Sequence, residues 1–309
     1  MSAVAFLAKR LLSMFFVVFS AGVIMFLLLR LAPGDPARLL AGFDAPPEVV
    51  EEIRQRYGLD KPFYEQLYNY IVGLIRFDFG ISIRSERPVI AEIMSKLPNT
   101  VILAVTSLVT STLMGIALGV LSALKRGSWI DSVALILSSI GSALPVFWTG
   151  ILLIYLFAVN LRLLPAGGLG EPKHLILPTI AMSLPLSAPI IRTTRAAVVE
   201  NLYADHVKAA LSKGLHQRRV FLAHVLRNSL IPVVTMIGLQ LGALIRGAVV
   251  TETVFAWPGM GKLLVDAISV RDYPLIQGTV FILALIYNVI NFAVDLLYAA
   301  LDPRIRVEA

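Results

Sequence analysis

The stretch 204–228, ADHVKAALSKGLHQRRVFLAHVLRN, sets Lys208, Lys213, Arg218, Arg219 and Arg227 against one acid, Asp205. A cluster of that sign attracts anionic surfaces, whether lipid or protein. Val207, Ala210, Leu211, Gly214 and Leu215 follow the i, i+3, i+4, i+7, i+8 spacing of one amphipathic helix face. Lys213 complements the negative end of that helix, and Gly214 can take the left-handed turn that ends it. A second helical run follows, with Arg218 and Arg219 opposite Phe221, Leu222, Val225 and Leu226. A bare charge anchor needs only a few Lys or Arg residues. Two short helices hinged at a glycine fit a protein-docking element better, and a lipid-surface helix would have its face broken at Gly214.

Other chemistry-bearing residues are fewer. His206, His216 and His224 are ten and eight residues apart, whereas two metal ligands on one helix usually stand at i,i+4. They read as loop histidines without a metal. The run PGMGKLL, Pro258–Leu264, resembles the tail of a phosphate-binding loop, but Ala256 occupies the first glycine position and Leu263 follows Lys262. The chain therefore shows no ATP site of its own. Cysteine is absent, which excludes disulfides, thiolate metal sites and cysteine nucleophiles. No convergent catalytic set stands out, so the chain is not read as an enzyme, and no metal site is expected.

Two ionisable residues fall in or near apolar runs. Arg246 stands 17 residues after Ser229, roughly 25 Å along a helix at 1.5 Å per residue. In a hydrocarbon core of ~30 Å that is near the outer surface. Asp295 lies 16 residues past Thr279 from the opposite side, so near the inner surface by the same arithmetic. With Gln240, Asn288 and Asn291 they form a candidate translocation pathway. Snorkelling at the interfaces and hydrogen bonding between helices are the competing readings.

The elements that must position these residues are membrane helices. The chain has 309 residues, 57% apolar and 15% charged, against about 25% charged in ordinary soluble domains. Six spans are expected: Leu11–Leu31, Val101–Leu124, Ser132–Asn160 interrupted by Pro145, Leu175–Ile191 with three prolines, a fifth from Ser229 into the 240s, and Thr279–Leu301. The run after Lys9 and Arg10 is too long for a signal peptide and lacks a small-residue cleavage site, so it reads as a retained span.

Placing both termini in the cytoplasm puts Lys9, Arg10, Lys125, Arg126, Arg192, Arg195, the basic stretch, Arg304 and Arg306 inside. The short outer loops then hold only Arg162, Lys173, Lys262 and Arg271. The net charge of +7 is thus a topology signal rather than a nucleic-acid signal.

Residues 1–31 form the N-terminal transmembrane helix and 32–98 an extracytoplasmic segment with short helices. A five-helix core follows over 99–303, including the cytoplasmic segment 200–228, with a tail at 304–309. Within 32–98, PPEVVEEIRQRYGLD predicts a helix ended by Gly58, with Val49, Val50, Ile53 and Tyr57 on one face. A second helix is expected over Pro62–Ile75.

KAALSKG, Lys208–Gly214, resembles the E-A-A-x-x-x-G loop of permease subunits of binding-protein-dependent ABC importers. Ala209, Ala210 and Gly214 match; Lys208 replaces the acid, and Arg227 occupies the usual later proline position. LLRLAPGDPARLLAG, YGLDKPFYEQ, FDFGIS, LPNT, HVLRNSLIPVVT, TVFAWPGMGKLLVDAISVRDYPLIQG and VDLLYAALDPRIR are similar to the dipeptide, oligopeptide, glutathione and nickel permease branch, in order along nearly the whole chain. The resemblance implies the six-helix type I importer permease fold, all-α, in a bacterial or archaeal inner membrane.

By the same resemblance, Lys208, Ala209, Ala210, Lys213, Gly214, Leu215, Arg218 and Arg219 belong to a coupling helix docked on an ATPase subunit. It further implies a heterodimer with a second permease subunit, two ATP-binding subunits carrying ATP and Mg, a substrate-binding protein outside, and no cofactor on this chain. Peptide cargo, dipeptide or oligopeptide, is the leading expectation, with nickel or glutathione as alternatives. The rival class, an ion-driven secondary transporter, should show inverted repeats and a midplane ion site, and the sequence presents neither.

Overall fold

Backbone in a bilayer has no water to bond, so apolar runs of membrane length close their own hydrogen bonds as helices. The computed structural model describes residues 3–31, 35, 37–38 and 45–301. The expected tail 304–309, with Arg304 and Arg306, and part of the LLRLAPGDPARLLAG motif lie outside the described residues. Five helices among the described residues are long and apolar enough to cross a membrane: Lys9–Leu31, Val89–Leu124, Pro172–Leu202, Gln217–Val254 and Tyr273–Leu296. A sixth crossing is available only if a bent pair, Trp129–Ala143 with Val146–Asn160, counts as one span.

The chain divides into two compact units, residues 1–99 with 258–292 and 304–309, and residues 100–257 with 293–303. In the first, α1 (Ala3–Leu31) is followed by α2 (Pro47–Arg56) and α3 (Phe63–Arg76). Pro46 and Pro62 precede these two short helices as their caps. Val50 is buried on α2, but Val49 is exposed, because successive residues lie about 100° apart on a helix and only one can face inward. Tyr70 fastens α3 to α1: its hydroxyl donates to Gly22 O at 3.1 Å and its ring stacks on Phe26. Val18, Leu74, Val89, Ile93, Met260, Ile276 and Phe281 form the core of this unit.

In the second unit, α4 (Val89–Leu124) supplies its residues from Thr100 onward. Then come α5 (Trp129–Ala143), α6 (Val146–Leu153, continuing as a π-helical turn to Asn160) and α7 (Ile176–Leu202). The expected third span is therefore not one kinked helix. α5 and α6 meet at 109°. Leu144, before Pro145, takes an extended conformation (φ −81°, ψ 128°), since the proline ring disfavours the helical one.

The fourth span is longer than the expected Leu175–Ile191. α7 runs through Pro185 and Pro189, and neighbouring helices add bonds to nearby carbonyls: Ser138 Oγ donates to Ala188 O at 3.0 Å and Gln240 Nε2 to Leu186 O at 3.2 Å. Two glycines let α4 approach α7. A Cβ on Gly115 would lie 2.5 Å from Ile190 Cγ2, and one on Gly119 2.5 Å from Thr194 Cβ. Small residues at this spacing are how membrane helices pack closely.

After α7 come α8 (Asp205–Ser212) and α9 (Gln217–Val220), which continues through a π-helical turn, Phe221–Leu226, into α10 (Arg227–Val254). The fifth span thus ends at Val254, beyond the expected 240s. α11 (Met260–Ser269), in the first unit, precedes α12 (Tyr273–Leu301), whose residues to Phe292 belong to that unit and which starts six residues before the expected Thr279. Hydropathy marks the apolar part of a helix, and these helices extend past it.

Candidate functional site

α8 ends as its sequence demands. Lys213 is the C-cap and Gly214 has φ +77°, the left-handed region open to glycine. Gly214 N donates to Leu211 O at 2.9 Å and Leu215 N to Ala210 O at 3.4 Å, the paired bonds of a Schellman stop. Leu215 then folds back beside Ala210. Both pack with Val207, Val220, Phe221 and Val225 against Ala123 of α4 and Val198 of α7. The apolar face of the 204–228 segment is consumed inside the chain, on the ends of two membrane helices.

Leu211 departs from the expected face: it is 44% exposed, on the outward side with Lys208. The Schellman turn explains this, because Leu215 takes the inner place that Leu211 would need. Leu222, also expected inward, is 50% exposed beyond the start of the π-helical turn. Lys208, Lys213, Arg218 and Arg219 are exposed along this segment, and so are Tyr203, Leu211 and Leu222. A mixed basic and apolar surface of this kind suits a protein partner. Lys208 Nζ bonds Asp205 Oδ1 at 2.9 Å, and this hydrogen bond and charge hold the Asp205 carboxyl below its ordinary range. The segment's one acid is thereby spent internally.

Two of the loop histidines have structural partners. His216 is the N-cap of α9, its Nδ1 accepting from Arg218 N at 3.3 Å. His206 Nε2 meets the Asn228 side-chain amide at 3.2 Å, tying α8 to the first turn of α10. Among the described residues no three His, Cys, Asp or Glu side chains lie close enough to hold a metal ion.

Of the candidate pathway residues, the structure brings Gln240 and Arg246 together. They line a cavity of about 360 Å³ with Phe147 of α6, Met182 and Leu186 of α7, and Gly247 of α10. Arg246 lies eight residues before Val254, roughly 12 Å from the helix end at 1.5 Å per residue. The helix thus continues for eight residues past Arg246. Asn288, Asn291 and Asp295 do not line this cavity. Asn288 donates to Ala284 O within α12, and Asn288 and Asn291 belong to the other compact unit.

Sequence reading missed Asp131. It is 5% exposed and accepts four hydrogen bonds: Arg195 Nε at 2.7 Å, Arg195 Nη2 at 2.8 Å, Ser122 Oγ at 2.5 Å and Gly127 N at 2.9 Å. Arg192, one turn earlier, donates to Ser138 Oγ and Ser142 Oγ of α5. The only sequence sign was a pair of arginines inside an otherwise apolar run.

The fold is a helical membrane chain whose basic segment 204–228 is anchored by its apolar side on α4 and α7. The chain matches the family of binding-protein-dependent transport system inner membrane components over residues 115–307, and that family's N-terminal model over residues 3–104. It belongs to this family: it is a multi-pass inner-membrane permease subunit of an ABC importer, not itself an enzyme, and works with ATPase and binding-protein partners.

It is 43% identical over 301 residues to the glutathione transport system permease protein GsiC of Escherichia coli strain K12, covering 97% of this chain and 98% of that one. The GsiC protein of Shigella flexneri serotype 5b (strain 8401) is 42% identical over the same length. Among solved structures, the MetNI methionine ABC transporter in an inward-facing conformation matches with a TM-score of 0.57 at 16% identity, over 68% of this chain and 96% of that one. That likeness concerns the fold alone.

Proposed function

We propose that this chain forms the membrane path for glutathione or a closely similar short peptide, and that it is driven through residues 204–228. The observation that carries the cargo reading is near-full-length similarity, at 43% identity, to permeases named for glutathione transport. This supports the glutathione alternative over the leading expectation of dipeptides or oligopeptides. The coupling reading rests on the geometry of α8 and α9, whose inner face is fixed to α4 and α7 while basic and apolar side chains point outward. In this reading the segment and both termini face the cytoplasm, where Lys and Arg gather. A binding protein delivers the peptide outside, and closure of two ATP-loaded partner subunits pushes on α8. A second permease subunit completes the path.

Two measurements test this. The complete complex in proteoliposomes, with its binding protein, should take up labelled glutathione in the presence of ATP; no uptake sinks the cargo reading. Gly214→Val should impair uptake and ATPase association. No atom lies within 4 Å of a Cβ at this position, so the effect comes from the φ +77° backbone rather than from a clash. Normal uptake and normal association in that variant would remove the coupling role.

A further inference from the structure

The cavity between α6, α7 and α10 holds a single kind of charge. Among its described lining residues Arg246 alone is ionised, and among the described residues no carboxylate makes an ion pair with it. A guanidinium two turns inside a membrane helix is costly unless it faces polar space or a counter-charge. Its surroundings leave room for one. Ala243 and Gly247 flank it on α10 with minimal side chains, and a Cβ on Gly247 would meet only Met182, at 3.5 Å. Phe147, Met182, Leu186 and Val250 make most of the remaining wall apolar. An apolar wall lowers the local dielectric and strengthens any ion pair formed there. Gln240 adds a neutral amide whose Nε2 already donates to Leu186 O at 3.2 Å, so its orientation is fixed. At about 360 Å³ the space falls at the small end of the range for small-molecule sites.

We infer that Arg246 binds a carboxylate of the peptide in transit and makes this path selective for acidic cargo. The inference rests on the peptide reading above and adds the group that recognises it. Arginine suits the task because its planar fork offers two parallel donors to a carboxylate and stays charged at any physiological pH. The arrangement works against a free divalent metal cation, which Arg246 would repel.

The test compares wild type, R246Q and R246K in the complete complex, with glutathione-loaded binding protein and uptake into proteoliposomes. R246Q keeps most of the length and a hydrogen-bonding group but removes the charge. Its uptake kcat/KM should fall by about tenfold or more, the scale of losing a hydrogen bond between charged partners. R246K should recover part of that loss, whereas a side chain that only filled space would be replaced as well by glutamine. Co-purification of all subunits and an unchanged melting midpoint identify variants that fold and assemble. R246Q uptake within twofold of wild type, or equal losses in R246Q and R246K, overturns the inference and leaves the cargo reading standing. A wild-type complex that takes up no glutathione overturns the cargo reading and this inference with it.

Discussion

Arg195 grips Asp131 with two parallel hydrogen bonds, Nε to Oδ1 at 2.7 Å and Nη2 to Oδ2 at 2.8 Å. With Ser122 and Gly127 on the same carboxylate, one side chain joins the end of α4, the turn after it, the start of α5 and the middle of α7. Removing one partner of a buried pair typically costs about 3–5 kcal/mol, since the other is left charged and unbonded. Asp131→Ala should therefore lower the melting midpoint of the purified protein sharply and reduce its yield. An unchanged midpoint would show that water replaces the carboxylate at no cost.

Gly119→Val should separate α4 from α7. The added Cβ would fall 2.5 Å from Thr194 Cβ and 2.8 Å from Ile191 O, and the latter is backbone that cannot turn aside. Overpacking of this kind costs about 1–3 kcal/mol. Thermal unfolding in detergent should register it. A wild-type melting curve would mean that the two helices shift apart freely.

Asp272 caps α12. Its Oδ1 accepts from Leu275 N at 3.2 Å, while Oδ2 accepts from Ser82 Oγ at 2.5 Å and Arg84 N at 3.2 Å. Asp272→Ala removes the cap and both tethers, a loss of about 1–2 kcal/mol from the cap alone. Amide hydrogen exchange should rise at Arg84 and Leu275 together. Faster exchange at only one of them would show that the two contacts are independent.

Lys208→Glu combined with Arg218→Glu should leave the fold intact, because both side chains are exposed and the apolar face of α8 is untouched. Stability should change by about 0.5 kcal/mol or less. Recovery of the ATPase subunits on affinity purification should fall, and the deficit should depend on ionic strength, as expected of exposed charges. Full recovery of the ATPase subunits would assign the docking contact to Tyr203, Leu211 and Leu222 instead.

What could be read from the sequence was what has a local signature. The α8 stop was legible because a glycine follows a helical period, and the basic segment because its charges are contiguous. Leu211 was misplaced because the period assumes an unbroken helix, whereas the Schellman turn brings Leu215 into its place. Pro145 marked a break, but the 109° angle depends on how α5 and α6 each lie against α7, which no local pattern encodes. Asp131 was invisible for the same reason: an acid in the first turn of a helix is ordinary, and the residue that gives it meaning lies 64 positions later. Of the pathway candidates, Gln240 and Arg246 stand six residues apart on α10, about 120° around the helix axis, so spacing alone did not bring them to one cavity.

Gln217–Val254 is one helical run of 38 residues, with Arg218 near one end and Arg246 near the other. Their 28-residue separation makes an arm roughly 42 Å long. A tilt of roughly 5° about one end would sweep the other through roughly 4 Å, more than the length of a hydrogen bond. The π-helical turn at Phe221–Leu226 and Pro232 are the places where such an arm would give. On the proposed coupling, stiffness in this one rod sets how much of a small push at Arg218 arrives at Arg246 as displacement, and softening it should weaken transport without touching either end.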